Sequence, residues 1–241
     1  MQVLNPVKSI VNRTPELAWM ELIKLPTLEM AVARVSTTYN FSQHPYLIWI
    51  EDRATQREAF LQSQLPFRFA VESFPQALAA VLARIDNLDD RLALFANIAE
   101  EHGHGNALHS HKFTFQEYLQ ALGANQVDLE TPCSTTVLAF NQSIRSYCLT
   151  QNPEIGAAML GMIEHLYVGI SAKIARTLAE RRWTSPGSQS HYLNHEKLDT
   201  EHARDLLNIA NSAWSDPRSR AQVSQALVLG AYYFWRLYVD L

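Results

Sequence analysis

The chain has 241 residues, 47% hydrophobic and 18% charged, which is long and apolar enough for a substantial core and unlike a disordered segment. Its net charge of −4 excludes the basic footprint of a nucleic-acid binder. Two cysteines, Cys133 and Cys148, make neither a disulfide framework nor a zinc knuckle, and the opening MQVLNPVKSIVNRTPEL lacks the continuous apolar stretch of a signal peptide, so a cytoplasmic protein is expected.

Alternating β-branched runs are absent, and helical spacing dominates. A first helix is expected over 14–36. A second covers 55–70, interrupted at Pro66, and 74–86 continues it or follows a bend near Pro75. Leu88–Glu101 comes next, with Asp89 and Asp90 placed to suit the helix dipole. A helix over 114–122 ends at Gly123, and another over 134–150 stops before Asn152-Pro153. The chain closes with helices over 153–182, Ser190–Trp214 and 219–241. The apolar stretch 155–172 contains Glu164, His165 and three glycines, which suits a buried helix better than a membrane span. No linker or internal repeat interrupts the chain. The expectation is one all-α domain over 1–241 of about seven helices, with residues 1–40 as an N-terminal extension.

HEKLDTEH, residues 195–202, carries the strongest chemical signal. His195, Asp199 and His202 share one helical stripe, which continues into Leu206 and Ile209 and so faces inward. Inward ligand-type residues need a metal, or else a hydrogen-bonded core network, and the stripe alone leaves both open. Glu164 is the only carboxylate between Glu154 and Glu180, on a packing face with Ala157, Leu160 and Ser171. A cation or protonation would relieve it. EEHGHGNALHSH, residues 100–111, supplies Glu101, on a stripe with Leu94 and Ile98 that turns it inward better than Glu100. It also supplies His111, on a second inward stripe with Phe115, Tyr118 and Leu122. Gly103 and Gly105 let the backbone leave regular helix between the two. His104 is the alternative to His111, while His102 and His109 are less well placed. The candidate ligands are therefore Glu101, His111, Glu164, His195, Asp199 and His202. Mixed oxygen and nitrogen donors without thiolate suit two divalent ions of iron or manganese in a bundle core better than a structural zinc.

Two motifs point to a known family. NIAEEHGHGNALHSHKFTFQEYLQALG, residues 97–123, contains an N-x3-E-x-G-x-G-x5-H pattern, and His195-x3-Asp199-x2-His202 follows, with Glu164 midway between them. On these motifs the chain resembles the heme-oxygenase-like superfamily of TenA, PqqC and CADD proteins, and is most similar to its non-haem di-iron oxidase and oxygenase branch. The resemblance spans roughly residues 40–240. It implies a helical bundle whose core holds two Fe(II) ions per chain, or manganese in one position, with O₂ as co-substrate. Members of the branch decarboxylate or cleave small acids and amino acids, or hydroxylate amine nitrogens. The expected function is thus a metal-dependent, O₂-activating oxidase or oxygenase acting on a small organic acid, amino acid or amine. The alternatives are a metal-free PqqC-like oxidase of cofactor biosynthesis and a CADD-like interaction protein with a vestigial site. TenA-like hydrolysis calls for a catalytic cysteine, and neither Cys133 nor Cys148 sits in a nucleophile motif. Haem oxygenase activity needs an axial histidine near the N-terminus, and His44, before a proline, is a poor candidate.

The expected partner is a small molecule in an apolar pocket, with no nucleic acid and no membrane; a homodimer is compatible with the fold. Candidate walls are Phe67, Phe69, Phe115, Tyr167 and the run Tyr232-Tyr233-Phe234-Trp235. Arg68 and Lys173 are candidate carboxylate anchors, set against ordinary surface charge. His191 is a candidate partner of the metal ligands, and Glu72 reads as a salt-bridge residue.

Overall fold

The structure, a computed structural model, describes residues 14–184 and 190–241, and for residues 190 and 193–199 the backbone alone. The described residues form eleven α-helical segments where about seven were expected. They begin with α1 (Trp19–Leu22), α2 (Leu28–Thr38), α3 (Pro45–Glu51), α4 (Arg57–Leu82), α5 (Leu88–Glu101) and α6 (His111–Ala121). α7 (Gln126–Leu129), α8 (Thr135–Thr150), α9 (Pro153–Arg181), α10 (Ser190–Trp214) and α11 (Pro217–Asp240) complete the chain. Part of the excess is single turns: α1 and α7 have four residues each.

Local chemistry sets most boundaries. The helix expected over 14–36 is split around Pro26, and α2 restarts behind Thr27, whose side chain accepts from the Met30 N–H. α3, absent from the sequence expectation, opens on Pro45 behind a His44 cap. Asn87, Ser134 and Asp216 cap α5, α8 and α11 in the same way. The interruption expected at Pro66 does not occur, because α4 runs through both Pro66 and Pro75. An interior proline costs about 3 kcal/mol. The apolar face that α4 buries on both sides of each proline, including Phe60, Leu65, Phe67, Leu78 and Val81, outweighs that cost at roughly 1.5–3 kcal/mol per large side chain.

α9 is the central helix. It packs along α10 and α11 and also touches α4 and α8. Its length and apolarity would suit a membrane span, but 78% of its most apolar window is buried inside the bundle. Close approach is built in. A Cβ on Gly161 would lie 3.0 Å from Leu206 Cβ of α10, and one on Gly230 of α11 would lie 2.6 Å from the Met159 carbonyl oxygen. One apolar cluster runs from Leu22 to Tyr238 and takes in Leu28, Val32 and Val35 of α2.

Candidate metal centre

Four of the six candidate ligands have described side chains, and all four are buried. α5 delivers Glu101 in its last turn, α6 opens on His111, α9 carries Glu164 near its middle, and α10 carries His202. Glu101 is 6% exposed, Glu164 4% and His202 6%. One carboxylate oxygen each from Glu101 and Glu164 and one ring nitrogen of His202 lie within 4.8 Å of one another. His111 joins them through its Nδ1, 2.8 Å from Glu101 Oε2. The side chains of His195 and Asp199 lie outside the described residues, although their backbone is part of α10.

The break between α5 and α6 makes the Glu101–His111 contact. Gly103 takes φ +63°, and a Cβ there would lie 2.6 Å from the His109 carbonyl carbon and the Ser110 nitrogen. Two short 3₁₀ turns, Gly103–Gly105 and Ala107–His109, fold the chain back on itself. His102, His104 and His109 are all exposed, whereas His111 is buried against Glu101.

Glu100 is the residue that sequence reasoning turned outward. Its Oε2 accepts from His202 Nε2–H at 2.8 Å, and its side chain is mostly buried. The inward stripe of α5 proves to be Leu94, Asn97 and Glu101, with Ile98 only half-buried. That rotation swings Glu100 toward α10. Burial alone would lower the His202 pKa. The Glu100 hydrogen bond and the charges of Glu164, Glu100 and Glu101 outweigh burial and raise it to about 9.

A cavity of about 60 Å³ adjoins the cluster. Glu101, His111, Glu164 and His191 form its polar end. Of the expected walls, Phe67, Tyr167 and Phe234 line it, joined by Phe74, Phe140 and Ile163, which the sequence did not single out. Phe115 stands behind the wall, packed against Phe67 and His191. Tyr232 is exposed, and Trp235 packs on Tyr39 and His44 instead. Phe69 lies under the Arg68 guanidinium. Arg68 donates to the Asp128 and Thr131 carbonyls and Lys173 pairs with Glu51 at 2.9 Å, so neither is placed as a substrate anchor. Glu72 pairs with Lys112, as a salt-bridge residue should. His191, 2% exposed, has its Nδ1 3.2 Å from Thr114 Oγ1, which holds the ring at the cavity wall.

Other reactive groups are occupied elsewhere. The His44 Nδ1 accepts from the Tyr46 N–H, which leaves Nε2 as the donor to the Trp235 carbonyl. Burial pushes its pKa down to about 4, so the ring is a neutral structural element with both nitrogens used. Burial pushes the Cys148 thiol up to about 12 and raises that of Cys133, the reverse of nucleophile activation.

The donor set fits a divalent cation. Carboxylate and imidazole donors without thiolate match iron or manganese. His202 Nδ1 is buried and has no hydrogen-bond partner among the described residues, as a ligand nitrogen would be.

Comparison with known proteins agrees. A family described as iron-containing redox enzyme matches residues 64–235, which takes in every candidate ligand. Two chlamydial proteins, each named 4-aminobenzoate synthase, are similar. The one from Chlamydia trachomatis is 23% identical over 198 residues, covering 81% of this chain and 84% of its own. The one from Chlamydia muridarum is 24% identical over 166 residues, covering 68% and 69%. Among solved structures, a TenA homologue from Pseudomonas syringae superposes with a TM-score of 0.71 at 15% identity, over 94% of this chain and 96% of its own. A domain of unknown function with a heme oxygenase-like fold from Shewanella denitrificans gives 0.70 at 14% identity, over 90% and 92%. These likenesses show the heme-oxygenase-like fold.

Proposed function

The chain belongs to the iron-containing redox enzymes, and from that premise we propose that it is a dimetal, O₂-activating oxidase or oxygenase acting on a small organic acid, amino acid or amine. The observation that carries this reading is the buried convergence of Glu101, Glu164 and His202 beside an apolar cavity. Glu101, His111, Glu164 and His202 would hold the metal, with His195 and Asp199 of the same α10 completing the set. Two bound ions, iron or iron with manganese, would supply O₂ reduction and oxidation of the substrate. The chain's own part is to place, dry and orient. Phe67, Phe74, Phe140 and Phe234 keep water from the reacting end. His191, fixed by Thr114, gives the substrate a polar contact beside the ligands. A cavity of about 60 Å³ holds on the order of four to six water-sized groups, which suits a small substrate. The name carried by the chlamydial relatives makes 4-aminobenzoate the first product to assay.

The test is metal content after anaerobic Fe(II) loading, followed by O₂ uptake with a panel of small acids, amino acids and amines. About two irons per wild-type chain are expected, with a clear loss in Glu101→Ala. Wild-type protein that retains no metal, yet takes up O₂ with an organic substrate, would replace this reading with the metal-free one.

A further inference from the structure

We propose that Glu100 is a positioning residue of the metal centre: by accepting the Nε2–H of His202 it fixes the imidazole with its lone pair on Nδ1 and presents that nitrogen to the ion held by Glu101 and Glu164. The inference rests on the metal reading above and adds which nitrogen binds and what orients it.

Three observations carry it. First, Nε2 is already committed, 2.8 Å from Glu100 Oε2. Second, the other nitrogen of the same ring, Nδ1, is buried and has no hydrogen-bond partner among the described residues. Third, a ring nitrogen of His202 lies within 4.8 Å of ligand oxygens on Glu101 and Glu164. With Nε2 turned to Glu100, Nδ1 is the nitrogen left for the ion. Metal-bound histidines commonly donate their second N–H to a carboxylate, which sets tautomer and ring angle. Glu100 and Glu101 are successive residues at the end of α5, so their side chains leave the helix about 100° apart. One helix end thus supplies a ligand to the ion and a brace to another ligand on α10.

The test uses the full-length chain labelled with ¹⁵N-histidine and loaded with Zn(II) as a diamagnetic probe. Long-range ¹H–¹⁵N correlations report which nitrogen of each histidine is metal-bound, and the signal missing from His202→Gln identifies His202. The expected wild-type result is Nδ1 bound and Nε2 protonated. Chelator competition should show Zn(II) affinity about 10–100-fold lower in Glu100→Ala, partly recovered in Glu100→Gln, which keeps an acceptor oxygen. Thermal melts of the metal-free variants check that the fold is intact. His202 bound through Nε2 in the wild type, or Glu100→Ala binding zinc as tightly as wild type, overturns the inference and leaves the metal reading standing. A wild-type chain that binds neither zinc nor iron removes both.

Discussion

Replacing Glu164 by Gln should stabilise the metal-free protein and abolish its response to metal. Glu164 is 4% exposed, and burying a charged carboxylate costs several kcal/mol even after the protein relaxes. Glu101 and His202 act on it in opposite directions. At 4.8 Å and an effective dielectric of about 20, repulsion from Glu101 is about 3.5 kcal/mol, and attraction to a protonated His202 is of similar size. Gln removes the desolvation cost of the charge at nearly constant volume, and its amide N–H can donate to Glu101. A gain of about 1–3 kcal/mol follows for the metal-free form. At roughly 2–4 °C per kcal/mol for a chain of this size, Tm should rise by about 2–12 °C. The wild type, with metal at about a hundredfold excess over its Kd, should gain about 2.7 kcal/mol, and the variant close to none. The assay is thermal denaturation followed by circular dichroism on chelator-treated proteins, with and without anaerobic Fe(II). A metal-free Glu164→Gln less stable than wild type, or one with an undiminished metal shift, would refute the reasoning.

Three further outcomes are expected. Gly230→Ala drives a Cβ to 2.6 Å from the Met159 carbonyl, so overpacking of about 1–3 kcal/mol should exceed the gain in helix propensity, whereas Gly169→Ala, which meets nothing within 4 Å, should be neutral or stabilising; urea midpoints decide. The folded pKa of His202, about 9, lies above its unfolded value. Its stabilisation of the metal-free form is therefore fully present below about pH 6.5 and lost as pH rises through about 9. Metal must displace that proton, so affinity should rise about tenfold per pH unit below 9, with about one proton released from this residue in calorimetry run in two buffers. His44 is the opposite case: with a folded pKa of about 4 it favours the native state above pH 6.5, and about 3 kcal/mol is lost as pH falls toward 4; denaturant midpoints across that range should flatten in His44→Asn, which keeps the α3 cap.

Residues whose surroundings lie on their own helix were legible in the sequence. The stripe His111, Phe115, Tyr118 and Leu122 is buried as its spacing implies, and Leu88–Glu101 and Ser190–Trp214 begin and end where their patterns do. Glu100 was not legible, because periodicity within α5 says nothing of a histidine on α10 that draws it inward. Phe74 and Phe140 were missed for the same reason, since each becomes a cavity wall only when α4 and α8 pack beside α9. Pro66 misled because local propensity was weighed without the apolar faces that hold α4 together on either side of it. α3 was overlooked because seven residues are too short for a periodic signal, and its cap is a histidine rather than the commoner serine or aspartate.

The connection between α5 and α6 has two unlike halves. At its root, Gly103 sits against the backbone of His109 and Ser110, which cannot move aside, and at its tip, residues 104–108 are exposed and Gly105 faces open space. The separation of Glu101 from His111 is therefore set at the root, and the length and sequence of the tip are free to vary. Natural drift or deliberate insertion of a few residues, a fluorophore site or an affinity tag would be absorbed at the tip, while a single methyl group at the root would pry the two ligands apart.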